Sequence, residues 1–194
     1  MIPLNQIANE ARALGFDLMG VAPVENRDGQ WFGPHADRFE AWLRDGKHAE
    51  MEYISRRAAE RVAPRVLFPE AQSALVLWMN HRTPDQPRPD YLTGRVAAYA
   101  WGRDYHNIAR KRMRKLMKAL RSQDPDLDGY LSIDTAPVLE RAFGERASVG
   151  WIGRSTMLIH PELGTFGTVV VLFVNQRWEA APTEHPYRCG SCTD

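Results

Sequence analysis

The residues of this chain best suited to chemistry fall in four short stretches. The first is the run RCGSCTD, in which Cys189 and Cys192 stand at C-x-x-C spacing. Two thiolates so placed can share one metal ion or cluster, or act as a redox dithiol. Zinc, dithiol and iron–sulfur chemistry all begin this way, and two plain tail thiols are the bland alternative. A ferredoxin run of the form C-x2-C-x2-C-x3-C-P would place its third cysteine at the residue after Asp194.

The second stretch is IDTAPVLER. Asp134 follows a short apolar segment, and Glu140 and Arg141 lie on a helix expected to begin after Pro137. A carboxylate at a strand end facing a cleft can act as a proton donor once desolvation raises its pKa. The competing reading has Asp134 or Thr135 capping that helix while Glu140 and Arg141 pair on its surface.

The third, YAWGRDYH, puts Tyr99, Trp101, Arg103, Asp104, Tyr105 and His106 within eight positions. Aromatic faces can stack on a large flat ligand while Arg and His bond its periphery, and an aromatic cluster leading into a capped helix is equally compatible. In SVGWIGRSTMLI, the fourth, Gly150 and Gly153 flank Trp151 and allow close backbone approach, with Arg154 placed for an anionic group. A glycine turn between helix and strand would look the same.

Elements must hold these stretches in place. Ile7, Ala8, Ala11 and Leu14 recur at helical spacing ahead of Gly15, predicting a helix over 4–14, and a strand follows over 16–22. Phe39 to Leu43 mark a second helix ending near Gly46, which 47–62 continues until Pro64 and Pro69 break it. SALVLWM at 73–79 reads as a buried strand, and 80–94, with three prolines, as a loop. The clearest helix spans 104–122, apolar on one face through Ala109, Met113, Leu116, Met117 and Leu120 and basic on the others. That basic face is either solvated surface or a track for nucleic-acid phosphates. A strand at 129–133, a helix at 138–147 and strands at 156–159 and 168–174 complete the pattern, the last two separated by the turn HPELG.

Strands alternating with helices predict a layered α/β (α+β) domain over 1–176 with a mixed sheet flanked by helices, and 177–194 reads as a linker and the start of something further. The 194 residues suit one well-buried domain. A net charge of +1 means that any polyanion surface must be local. The longest apolar runs fall far short of a membrane span and no export leader is visible, so the cytoplasm is the expected place. Two cysteines, both within the last six residues, argue against a disulfide framework.

Taken in order, GFDLMGVA, AWLRDGKHAEMEYISRR, PRVLFPEA before SALVLWM, AYAWGRDYH, DTAPVLERAFGERASVGWIGRSTMLI and CGSC resemble the epoxyqueuosine reductase family from about residue 15 onward. The resemblance implies a nitroreductase-like cobalamin-binding domain followed by a ferredoxin-like domain with two [4Fe-4S] clusters. It implies a two-electron removal of the epoxide oxygen from epoxyqueuosine at the tRNA wobble position, giving queuosine, with an external electron donor and no membrane. Asp134 resembles the family's proton donor. Arg56, Tyr99, Arg103, Tyr105, His106, Arg141, Trp151 and Arg154 match positions expected to line the corrin or the modified base, and Cys189 and Cys192 match the first two ligands of a cluster. On this reading the chain stops before its cluster cysteines are complete and would not turn over alone. The family commonly has Arg where Ala98 stands and Lys where Arg154 stands, which keeps open a paralogous cobalamin-dependent reductase with another substrate. A flavin-binding nitroreductase-like reductase is the alternative within the same architecture.

Overall fold

The structure, a computed structural model, describes residues 1–24, 33–82, 94, 96–179 and 185–191. Most of the proline-bearing loop expected over 80–94, the middle of the linker and Cys192 lie outside the described residues.

The centre is a four-stranded sheet in the order β1 (Leu18–Pro23), β2 (Ser73–Asn80), β6 (Gly167–Val174) and β3 (Gly129–Ser132). A two-stranded hairpin, β4 (Trp151–Ile152) with β5 (Leu158–Ile159), stands apart from it. Every described pairing is antiparallel, so the sheet is not mixed as expected. Alternation of helical and strand patterns fixes layers, but strand direction depends on the sheet end to which each long connection returns, and no local signal encodes that.

The central strands are buried on both faces, which is why SALVLWM reads as one continuous apolar run. Leu75, Leu77 and Met79 of β2, with Val170, Leu172 and Val174 of β6, face one core. Helices α1 (Leu4–Ala13) and α5 (Tyr105–Gln123) cover that side with Ile7, Ala11, Ala109, Met113, Leu116 and Leu120. The alternate residues Ala74, Val76, Trp78, Val171 and Phe173 face a second core, closed by Ala142 and Phe143 of α6 (Glu140–Arg146) and by Val138, Val149 and Leu158. Helix–sheet–helix layering is thus set by period-2 burial in the strands and helical stripes on α1 and α5.

Helix α2 (Gly33–Arg44) is followed by two short pieces, α3 (Glu52–Arg56) and α4 (Ala58–Val62), where one continuous helix was expected. Arg57 between them adopts φ −117 and ψ 31, outside helical geometry. Neither short piece buries a residue fully, so no packed stripe holds them in register. Among the described residues no helix is long and apolar enough to cross a membrane.

Candidate active-site cleft and the Cys189 turn

Helix α5 begins where YAWGRDYH ends. The Asp104 carboxylate accepts from the His106 backbone N–H at 2.8 Å, capping the helix as a sequence-local N-cap should. This fixes Tyr105 and His106 in the first turn, their rings stacked with centroids 4.1 Å apart. The His106 ring is further steadied by Asp104 Oδ1, 2.9 Å from Nδ1.

Opposite them, β3 ends and the chain turns sharply at Asp134, whose φ is +53. This left-handed conformation is uncommon for a residue with a Cβ, although Asp tolerates it better than most. The turn presents the carboxyl to the first turn of α5. Tyr105 Oη donates to Asp134 Oδ2 at 2.7 Å, and His106 Nε2 stands 3.4 Å from the same oxygen. At that length His106 is an electrostatic neighbour and makes no hydrogen bond, and its Nε2 is buried without a partner. Burial and the Asp134 carboxylate raise the Tyr105 hydroxyl well above the ordinary phenol range.

Asp134 and Tyr105 line a cleft of about 460 Å³ with Tyr99, His81, Glu140 and Arg141 among its polar and aromatic wall. Trp78, Met157, Leu158 and Val169 supply apolar surface. Tyr99 is exposed and meets both His81 and Tyr105 edge-on, at centroid distances of 6.4 and 6.1 Å. Gly167 is required at the floor, since a Cβ there would overlap the Trp78 indole.

Glu140 and Arg141 do not pair with each other, contrary to the bland expectation. Ser132 Oγ donates to Glu140 Oε1 at 2.8 Å, whereas Arg141 Nη1 donates to the Thr156 carbonyl at 2.6 Å. Burial pushes the Glu140 carboxyl up to about 7, against the opposing hydrogen bond from Ser132. Helical neighbours point about 100° apart, so adjacent residues on α6 reach different partners. Glu140 was legible in the sequence only as surface charge; its position facing β3 required the fold.

The remaining candidate residues separate from this cleft. Trp151 and Arg154 belong to the β4–β5 hairpin and its turn, and the structure brings Cys189 against them. The Arg154 N–H donates to Cys189 Sγ at 3.5 Å, and a guanidinium nitrogen of Arg154 donates to the Gly190 carbonyl at 3.3 Å. Gly153 leaves room for this approach, since a Cβ there would sit 3.3 Å from the sulfur and 2.6 Å from Ile159 Cδ1. Hydrogen bonds from the Arg154 N–H and the Tyr187 hydroxyl favour the thiolate and draw the Cys189 thiol below its ordinary range. The hairpin therefore has two working sides: its tip holds Arg141 and lends Met157 and Leu158 to the cleft, and its turn holds Cys189. Arg56 is exposed on α3 and paired with Glu52 at 2.5 Å, and Arg103 is exposed; neither lines the cleft. Among the described residues no group of three or more His, Cys, Asp or Glu could hold a metal ion.

These features define a layered α/β protein whose sheet end, first helical turn and hairpin enclose an acid-bearing cleft. Residues 61–135 match the family model described as "Epoxyqueuosine reductase QueG, DUF1730". The chain is 33% identical to the epoxyqueuosine reductase of Synechocystis sp. over 178 residues, covering 90% of this chain and 58% of that protein. It is 32% identical to that of Pseudomonas aeruginosa over 195 residues, covering 97% and 52%. A crystal structure of epoxyqueuosine reductase with a tRNA-Tyr epoxyqueuosine-modified stem loop superposes with a TM-score of 0.80 at 25% identity, over 97% of this chain and 49% of that one. The chain is similar to epoxyqueuosine reductases along nearly its whole length and spans about half the length of the curated relatives it matches.

Proposed function

We propose that this chain supplies the substrate cleft of an oxidoreductase that removes the epoxide oxygen of epoxyqueuosine in tRNA, giving queuosine. The observation that carries the reading is Asp134, held at the cleft in a left-handed turn by the Tyr105 hydroxyl at 2.7 Å. Oxygen leaves carbon poorly as an oxide or hydroxide, so an acid positioned over the reacting carbon–oxygen bond is what the reaction needs. Asp134 protonates that oxygen; Tyr105 and His106 fix the carboxyl's direction. Similarity to epoxyqueuosine reductases and the tRNA stem loop bound by one of them support tRNA as the partner. On this reading the protein works where tRNA is modified, in the cytoplasm, with electrons from an external donor.

The cofactor implied by the family resemblance is cobalamin. The cleft suits a broad flat ligand with a polar rim: Trp78, Met157, Leu158 and Val169 offer apolar contact, and Tyr99 exposes a ring for stacking. Two lining residues, Trp78 and His81, keep buried ring nitrogens without hydrogen-bond partners. Tyr99, Tyr105, His106 and Arg141 are the residues that would hold the corrin or the base beside it. The corrin's cobalt would supply electrons to the epoxide carbon. The residues present do not complete a [4Fe-4S] cluster, since Cys189 and Cys192 provide two of the four thiolates it takes.

Cobalamin added to the purified protein is expected to change the corrin's visible spectrum and raise the melting temperature. Asp134→Asn in the natural gene product should lose epoxyqueuosine turnover while keeping that spectral change. Neither a spectral nor a thermal response to cobalamin, with full response to a flavin, would transfer the reading to a flavoprotein reductase.

A further inference from the structure

Reducing an epoxide to an alkene and water consumes two electrons and two protons, yet Asp134 carries one proton at a time. A second carboxyl lines the same cleft. Glu140 opens α6 and accepts from Ser132 Oγ at 2.8 Å, with Ser132 itself fully buried on β3. The groups that face Glu140 are Ser132 from β3, Asp134 from the loop after it and Arg61 from α4, whose guanidinium acts on it more weakly than burial does. Arg141, next on its own helix, is committed to the Thr156 carbonyl. Glu140 therefore lacks the close cation that would hold it ionised, and the Asp134 charge works against its ionisation as well.

We infer that Glu140 stores the second proton of the reduction and passes it to Asp134 after Asp134 has protonated the departing oxygen. The inference rests on the epoxyqueuosine-reducing reading of the cleft. In the transfer the O–H bond of Glu140 breaks as one forms on Asp134, and the Glu140 carboxylate is reprotonated by solvent. The recharged Asp134 gives the second proton to the hydroxyl, which leaves as water. Both electrons come from the low-potential reductant of the proposed reaction. Glu140 is thus a positioning residue for protons, acting through Asp134. Its carboxyl, pushed up to about 7 by burial, is protonated over the range in which an ordinary glutamate is ionised.

Two measurements test this. Carbon-13 carboxyl NMR of glutamate-labelled protein should show one side chain titrating near 7 that disappears in Glu140→Gln. In the natural gene product, kcat should fall as pH rises through that value; Glu140→Gln should lower kcat at least tenfold with KM within twofold and abolish that pH limb. Glu140→Asp should restore part of both, which separates loss of acidity from loss of fold. A folded Glu140→Gln with wild-type kcat and the same alkaline limb, beside a wild type that turns over, would overturn the inference alone. A wild type with no epoxyqueuosine turnover would instead sink the functional reading on which it rests.

Discussion

Tyr105 and Asp134 meet at 2.7 Å although 29 residues separate them, one in the first turn of α5 and the other in the turn that ends β3. The contact joins an N-capped helix to a left-handed turn, so each holds the other's geometry.

Removing the hydroxyl should therefore disturb chemistry more than folding. Asp134 is largely exposed, and a hydrogen bond to an exposed carboxylate contributes under about 1 kcal/mol once water competes for it. Tyr105→Phe is expected to shift the urea midpoint little. Its turnover should drop about tenfold, because a carboxyl free to rotate is misplaced for proton transfer. Equal turnover in Tyr105→Phe and wild type would show that His106 and the turn suffice to aim Asp134.

The backbone at Asp134 makes a separate prediction. With φ at +53, a Cβ is strained and glycine is not. Asp134→Gly should be more stable than Asp134→Ala by about 1 kcal/mol, while both lack turnover. Chemical denaturation of the two variants checks the order, and an Ala variant as stable as the Gly variant would mean that the turn relaxes.

Gly167 is a packing requirement of the cleft floor. Gly167→Ala places a methyl in the Trp78 indole, a buried side chain packed in the core between the sheet and α6. Overpacking of this kind costs roughly 1–3 kcal/mol. A thermal shift measures the cost, and the fluorescence of Trp78 should change with it.

The sequence carried the layers well and the site unevenly. The continuous apolar run of β2 and the one-sided stripe of α5 are local patterns, and each appears within a residue or two of where periodicity put it. Strand direction, the break at Arg57 and the short β4 strand were not legible, because they depend on long-range returns of the chain and on two-residue pairing. At the site, Asp134, Tyr99, Tyr105 and Arg141 converge on one cleft. Trp151 and Arg154 gather around Cys189 instead, and spacing alone could not separate the two groups. Glu140 was hidden for another reason: a glutamate at a helix start looks like surface until the partner strand shows what it faces.

Glu140 also links stability to pH. Its carboxyl is raised from 4.5 unfolded to about 7 folded. The folded state thus binds the proton more tightly, and its stabilising contribution is complete below the unfolded value and lost as pH rises through the folded one. The loss between about pH 4.5 and 7 is on the order of 3 kcal/mol as an upper bound. His35, lowered by burial, works in the opposite sense as pH falls below 6.5, so the total curve mixes the two. The difference between wild type and Glu140→Gln isolates Glu140, and it should favour wild type increasingly toward acid.

Cys189 gives the last prediction. Hydrogen bonds from the Arg154 N–H and the Tyr187 hydroxyl both favour the thiolate, so alkylation of Cys189 should show a midpoint below the ordinary thiol value of 9.0. The measurement is the pH dependence of iodoacetamide reaction in a Cys192→Ser background. Tyr187→Phe removes one donor and should move the midpoint upward, whereas Arg154→Ala keeps the backbone N–H and should move it less. A midpoint that ignores Tyr187 would assign the thiolate's stabilisation to the 151–154 turn alone. In that case the hairpin itself, which also grips Arg141 through Thr156, would be the element joining the thiol to the cleft.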